Sequence, residues 1–292
     1  MTFVPPIIEI CTVHGLCNAS CVMCPVNDMP EKVLMSTNRF SQLLRKFEPY
    51  KNQLDFISFV GMGEPLLDKE VEQKIKMAKE FGFKRARIVT NASALTLVRA
   101  RALLDAGLDL LIVSIDSDNR NSYEKIRVNL KFDKVVSNVK SFIEMRDLGN
   151  YNAAIHVRFC VMESNFDQVD SFSNFWIPFI DLNKGDLVLT FPEHNWPRAN
   201  DASQPVFPKT SECSYVFDRL IIQANGSIQL CCVDNNADFF EFGNAFNVDP
   251  IEVFNGPTFV KIRELMQSGD IDKILPCKYC NVPIKREIRA IV

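Results

Sequence analysis

No stretch of this 292-residue chain approaches the ~20 consecutive apolar residues that a membrane-crossing helix needs. The first residues also lack the basic-then-apolar pattern of a secretory signal. Charge of one sign is missing as well: 33 Lys and Arg stand against 36 Asp and Glu, a formal net charge of −3. A chain so balanced offers no footprint for nucleic acid and no patch for a membrane surface. What it does have is cysteine, ten in all. Without a signal segment, these imply a reducing compartment, the cytoplasm, and metal ligation rather than disulfides. A hydrophobic content of 47% is enough for one large domain with an appendage, or for two domains.

From residue 7 to about 190, short apolar runs alternate with longer amphipathic ones. The strand-like runs are 7–13, 54–60, 86–90, 108–115, 153–161 and 186–190. The helix-like stretches lie near 37–47, 69–81, 95–106, 121–145 and 166–180. Gly82 and Gly107 stand at two helix ends, where a left-handed cap residue is favoured. Alternating strand–helix units predict an α/β fold with a parallel sheet and right-handed crossovers. Periodicity does not distinguish an open sheet from a barrel. From Phe191 the composition shifts, with Pro192, Pro197, Pro205 and Pro208 breaking regular structure. The domain boundary is placed there, giving units 1–195 and 196–292.

The chemistry concentrates in one loop after the first strand, Cys17-Asn18-Ala19-Ser20-Cys21-Val22-Met23-Cys24-Pro25. Three thiolates at C-x₃-C-x₂-C spacing can hold three irons of a cubane [4Fe–4S] cluster. Zinc would want a fourth ligand for a closed site. Three protein ligands leave one iron open to a small molecule. Beyond the boundary stand Cys213, then Cys231 after Gly226 with Cys232 beside it, then Cys277-Lys278-Tyr279-Cys280. Residues 220–230 read as a β-hairpin with an Asn225-Gly226 turn, and 260–266 as a helix leading into Cys277. Cys213, Cys231, Cys277 and Cys280 make a four-sulfur shell that suits a second cluster or a zinc ion equally. Cys231 and Cys232 are interchangeable at this level.

The cysteine loop resembles the signature of the radical S-adenosylmethionine (radical SAM) enzymes. The resemblance implies a partial (β/α)₆ TIM-like barrel with its chemistry at the C-terminal strand ends. It also implies that the open iron binds S-adenosylmethionine, and that a reduced cluster cleaves it to a 5′-deoxyadenosyl radical. Gly61-Met62-Gly63-Glu64-Pro65 after the second strand matches the G-G-E-P motif that holds the SAM amino group. Thr90-Asn91-Ala92 is similar to the T-N-G after the third strand, with Ala92 a departure. Val113-Ser114-Ile115-Asp116-Ser117 is similar to V-S-I-D-G after the fourth. Gly61, Gly63, Glu64, Asn91, Ser114 and Asp116 are therefore the candidate SAM contacts. Arg127 falls where relatives carry an arginine, and either meets a carboxylate or stands as a solvated helix charge. Asn165 resembles the Asn that starts the next helix, where capping alone would explain it.

C…G-x₄-C, Gly243-Asn244, a helix and C-x₂-C resemble the auxiliary-cluster extension called SPASM or twitch. With no cysteine after Cys280, the short single-cluster form is the nearer match. The resemblance implies two [4Fe–4S] clusters, a flavodoxin or ferredoxin reductant, and an oxygen-poor cytoplasm. It favours a radical dehydrogenase acting on a sugar or aminocyclitol, as in the twitch dehydrogenase of aminoglycoside biosynthesis. Arg158, Glu193, His194 and Arg198 are candidates to orient or deprotonate a hydroxyl. His156, Arg158 and Cys160 share one parity on the fifth strand. Cys160 is either a buried small hydrophobe or, in the alternative reading as a peptide maturase or epimerase, a hydrogen-atom donor. A molybdopterin-type GTP cyclase is disfavoured because its Gly-rich arginine tail has no counterpart in Lys285-Arg286-Glu287-Ile288-Arg289. The third reading is a non-catalytic iron–sulfur or zinc scaffold.

Overall fold

The apolar runs become six parallel strands: β1 (Ile7–Ile10), β2 (Phe56–Phe59), β3 (Arg85–Thr90), β4 (Leu110–Ser114), β5 (Ala154–Val161) and β6 (Leu187–Pro192). Neighbours in sequence are neighbours in the sheet, each pair in parallel register. The computed structural model describes residues 2–197, 204–206, 213–234, 239–282 and 289–290. The helices are α1 (Thr37–Lys46), α2 (Val71–Phe81), α3 (Leu97–Asp105), α4 (Arg120–Ile126), α5 (Phe132–Leu148) and α6 (Val169–Trp176). Ser36, Thr96 and Asn119 cap α1, α3 and α4 by accepting the backbone N–H groups of Arg39, Arg99 and Ser122.

Strand parity separates two surfaces. Ile57, Phe59, Ile88, Leu111, Val113, Ile155, Val157, Phe159 and Val188 are fully buried and form one core with the helices. The opposite parity supplies Glu9, Arg87, Val89, Ile112, Ser114, His156, Arg158 and Leu189, all lining a single cavity. A flat sheet could not bring side chains of the first and sixth strands to one cavity. The sheet is curled into a partial barrel, and the polar parity is its lumen.

Two elements depart from expectation. The stretch 121–145 is not one helix: α4 ends at Ile126, and the backbone of Arg127–Val128 pairs antiparallel with Ser20–Cys21. Asn129, at φ 73, turns the chain back before α5. The amphipathic period runs through this break, so periodicity does not reveal it. The C-terminal hairpin does not stand apart from the barrel sheet. Its strands, β7 (Arg219–Ile222) and β8 (Ile228–Gln229), extend that sheet, with β7 parallel to β1 from Ile7↔Arg219 to Ile10↔Ile222. Asn225-Gly226 lies within a wider turn in which the Gln223 N–H donates to the Ser227 carbonyl. A last short strand, β9 (Arg289–Ala290), pairs antiparallel with β6. Around the hairpin lie α7 (Tyr215–Asp218), α8 (Pro250–Phe254), α9 (Pro257–Gln267) and α10 (Leu275–Tyr279). No helix among the described residues is long and apolar enough to cross a membrane.

One buried ion pair pins α5 to the far side of the sheet. Arg146 Nη1 donates to Asp186 Oδ1 at 2.6 Å, and both side chains are fully buried. Asp186 also accepts the N–H groups of Ile155 and Asp181. Asp186→Ala is expected to cost about 3–5 kcal/mol in urea denaturation, because it leaves the buried guanidinium with only the partly exposed Asp147 and the Ala153 carbonyl. Adding Arg146→Met should restore part of the loss.

Candidate functional site

The cysteine loop leaves β1 and is gripped from three sides. From below, Gly61-Met62-Gly63-Glu64 lies against its stem: the Gly15 N–H donates to Met62, and the Glu64 N–H to Leu16. A Cβ on Gly63 would sit 2.0 Å from the Val13 carbonyl, and one on Gly61 2.3 Å from Cys11 Sγ. The glycines are needed for this chain-to-chain approach, whereas the motif alone suggests approach to a ligand. The Glu64 carboxylate is likewise engaged within the protein. It accepts Thr90 Oγ1 at 2.5 Å, the Asn91 N–H at 2.8 Å and the Leu66 N–H at 2.9 Å. Burial raises its pKa against the pull of these donors.

From the side, Asn91 Nδ2 donates to Asn18 Oδ1 at 3.0 Å and lies 3.8 Å from Cys17 Sγ. Asn18 Nδ2 donates in turn to Ser93 Oγ at 2.7 Å. Ala92 holds φ 57, the left-handed conformation that suits the glycine of T-N-G. From the third side, Arg127 Nε donates to Asp116 Oδ2 at 2.6 Å while its Nη1 lies 3.5 Å from Cys21 Sγ. Burial opposes this cation, but Asp116 and Cys21 outweigh it and hold Arg127 well above its ordinary pKa. Asp116 also accepts the Cys160 N–H at 2.8 Å. Asn165, fully buried, makes no cap; its Nδ2 donates to the carbonyls of Asp116 and Cys160 at 3.0 Å each.

Burial pushes the Cys17 thiol up to about 11 and raises Cys24. Such thiols become ligands when a metal displaces their protons. The soft three-sulfur set, with an arginine rather than a fourth ligand beside it, fits a cubane with one open iron. At the other end of the chain, Cys213, Cys231, Cys277 and Cys280 converge on one small enclosed cavity. Its remaining lining is Tyr215, Val216, Val233, Pro276 and Val282. Four sulfurs in an otherwise apolar shell fit a fully ligated cluster. Cys232 points elsewhere, into the barrel lumen beside Glu9 and Arg219. The structure thus separates two cysteines that are equivalent in sequence.

The lumen cavity measures about 420 Å³. His156, Arg158 and Ser114 line it, together with His194 and Trp196 from the segment after β6. Cys160 has the same parity as Arg158 but lies nearer the strand end. Ile126, Met162, Met23 and Phe191 cover it, and burial, with Asp116 nearby, raises its pKa far above the thiol range. Glu193 and His194 line an open groove of about 550 Å³ beside Met23 and Cys24, so His194 stands at the junction of groove and lumen. Arg198 lies outside the described residues.

Segment 193–196 also joins the two cysteine regions, which no motif announces. Trp196 Nε1 donates to the Met23 carbonyl at 2.8 Å. Asn195 Nδ2 donates to the Tyr279 carbonyl at 2.6 Å, and Asn281 Nδ2 to that of Glu193 at 2.8 Å. Asn195 and Asn281 also exchange backbone-to-side-chain bonds at 3.3 and 3.0 Å.

Residues 12–151 match the model of the Radical SAM superfamily, and residues 213–281 that of an iron-sulfur cluster-binding domain, SPASM. A probable GTP 3',8-cyclase of Sulfurisphaera tokodaii is 27% identical over 169 residues, 57% of this chain and 50% of that protein. An uncharacterized protein of Methanocaldococcus jannaschii is 28% identical over 125 residues, 42% of this chain and 39% of the relative. The chain therefore spans half or less of the curated relatives it matches. Among solved structures, BtrN in complex with AdoMet and 2-DOIA superposes with TM-score 0.65 at 18% identity, covering 96% of this chain and 94% of BtrN. Streptococcus suis SuiB bound to precursor peptide SuiA gives TM-score 0.66 at 14% identity, covering 90% of this chain and 67% of SuiB. At these identities the likeness is one of fold.

Anaerobic reconstitution tests both sulfur sets. About eight irons per chain are expected, falling to about four in Cys17→Ala/Cys21→Ala/Cys24→Ala. Cys231→Ala should lose the other four, whereas Cys232→Ala should keep all eight.

Proposed function

The chain is a radical SAM superfamily enzyme with a C-terminal SPASM/twitch-type iron–sulfur domain, and on that premise we propose that it oxidises a small hydroxylated molecule of sugar or aminocyclitol size. The observation that carries this reading is the lumen. Its volume of about 420 Å³ lies within the range of small-molecule sites, and strands β1 and β3 to β7, with Val60, Gly61 and Met62 after β2, wall it in. When bound, the two clusters and S-adenosylmethionine supply a radical that removes one hydrogen atom and an acceptor for one electron.

The protein's own residues do the rest. We assign residues 1–195 to the barrel and 196–292 to the auxiliary domain. Cys17, Cys21 and Cys24 hold the first cluster, and Cys213, Cys231, Cys277 and Cys280 the second. Gly61, Gly63, Glu64 and Asn91 shape the SAM side of the mouth by fixing the cysteine loop. Ser114 and Asp116 mark the β4 end of the same rim. An alcohol carbon that has lost a hydrogen atom must still lose its hydroxyl proton and one electron to become a carbonyl. We assign the taking of that proton to His194, which lines both lumen and groove, with Glu193 beside it. Flavodoxin or ferredoxin supplies the reducing electron in an oxygen-poor cytoplasm. The epimerase form of the peptide-maturase reading needs an accessible donor thiol, and the cover over Cys160 weighs against that form.

The reconstituted enzyme, given SAM, a reductant and sugars or cyclitols deuterated at their hydroxyl carbons, tests this. One deuterium should enter 5′-deoxyadenosine, the product should lose two hydrogens, and about one SAM should be consumed per turnover. A product of unchanged mass, or label transfer only from a peptide, would overturn the reading.

A further inference from the structure

The lumen holds more positive charge than its own acids neutralise. Three guanidiniums face it, those of Arg87, Arg158 and Arg219, against the single carboxylate of Glu9. Glu9 Oε1 accepts from Arg87 Nη2 and Arg219 Nη1, each at 3.0 Å. Arg219 also donates to Asp218 at 2.7 Å, and Arg87 Nε donates to Ser58 Oγ at 2.8 Å. Arg87, Arg219, Glu9 and Asp218 thus form a closed, neutral group.

Arg158 is left over. No carboxylate among the described residues pairs with it; its guanidinium lies 4.2 Å from the centre of the Phe191 ring. Its register neighbours are Ser114 and Leu189, neither of them charged. Asp116, beyond the end of β4, is committed to Arg127 and the Cys160 N–H. Of the other titratable groups facing the cavity, burial keeps His156 on the neutral side, lowering its pKa. An arginine inside a barrel keeps its charge, and leaving that charge uncompensated is costly. A planar five-donor fork open to a cavity is built for a planar or tetrahedral oxyanion.

We propose that Arg158 is an anion anchor, so that the substrate of the lumen carries a carboxylate or a phosphate group beside the hydroxyl carbon that reacts. This inference rests on the reading of the lumen as the substrate site, and it narrows that reading to hydroxy acids or phosphate esters. A purely cationic aminocyclitol does not satisfy it.

The experiment is calorimetric titration of anaerobically reconstituted enzyme, first without and then with saturating SAM, with inorganic phosphate and, separately, with malonate. One saturable site per chain is expected. Arg158→Gln, with iron content and thermal transition checked against wild type, should weaken that site by at least about tenfold. Arg158→Lys, which keeps the charge but not the fork, should weaken it less. A stronger phosphate site indicates a phosphate ester, and a stronger malonate site a carboxylate. Three results would overturn the proposal: no saturable binding in wild type, equal binding in Arg158→Gln, or loss of the site on adding SAM together with weakened SAM binding in the variant. The last would mean that Arg158 serves the carboxylate of SAM itself. Deuterium transfer by wild type is read separately, so an intact oxidation with no anion site would sink this inference alone.

Discussion

The buried pair of Asp116 and Arg127 is the constraint on which the site's geometry depends. Arg127 leaves the end of α4 and reaches Asp116 at 2.6 Å, with Cys21 3.5 Å beyond. Asp116 in turn takes the Cys160 N–H, so one carboxylate fixes the ends of β4 and β5 together. Two charges removed from water are tolerated only where hydrogen bonds satisfy them on several sides. Here those bonds come from elements that must meet at the mouth of the barrel. The pair therefore holds the cysteine loop in register with the strand ends, and it delivers a positive charge to the sulfur site without acting as a ligand.

Much of this was legible in the sequence because it is local. Strand runs, helix runs and their order follow from the spacing of apolar residues, and the first three cysteines from their spacing on one loop. What the sequence leaves open depends on partners that only the fold brings together. The break at Arg127 arises from pairing with Ser20 and Cys21, over a hundred residues earlier, while the helical pattern runs on undisturbed. Glu64 reads as a ligand contact, and the fold adds protein partners to it, Thr90, Asn91 and Leu66. Asn165 reads as a cap, yet it straps two strand ends. Cys231 and Cys232 are adjacent and alike, and only the fold sends one sulfur to the enclosed cavity and the other to the lumen. Parity placed Arg158 and Cys160 on one face, but depth along the barrel axis separates their surroundings.

The two sulfur sites and the lumen are mechanically joined. Trp196 ties segment 193–196 to the cysteine loop through Met23, and Asn195 and Asn281 tie the same segment to the stretch around Cys280. His14 and Gln223, 2.9 Å apart, add a link between the stem of the loop and the hairpin turn. The lumen itself is lined by His194 and Trp196 of that segment and by Gln223 and Cys232 of the C-terminal region. A small displacement of segment 193–196 would be felt at both sulfur sites at once.

The pairing of β7 with β1 bears on how such a chain can change over evolutionary time. An exposed parallel strand edge is a row of unsatisfied donors and acceptors that invites pairing with other chains. β7 covers that edge of β1 along all four of its residues, with the Cys11 N–H bonded onward to Ile222. The C-terminal region is consequently part of the barrel's own hydrogen-bonding and cannot be exchanged as a detachable cassette. Recombination that swapped it would have to preserve a strand of matching register, so new substrates are more readily acquired by altering the lumen-facing side chains than by trading the extension.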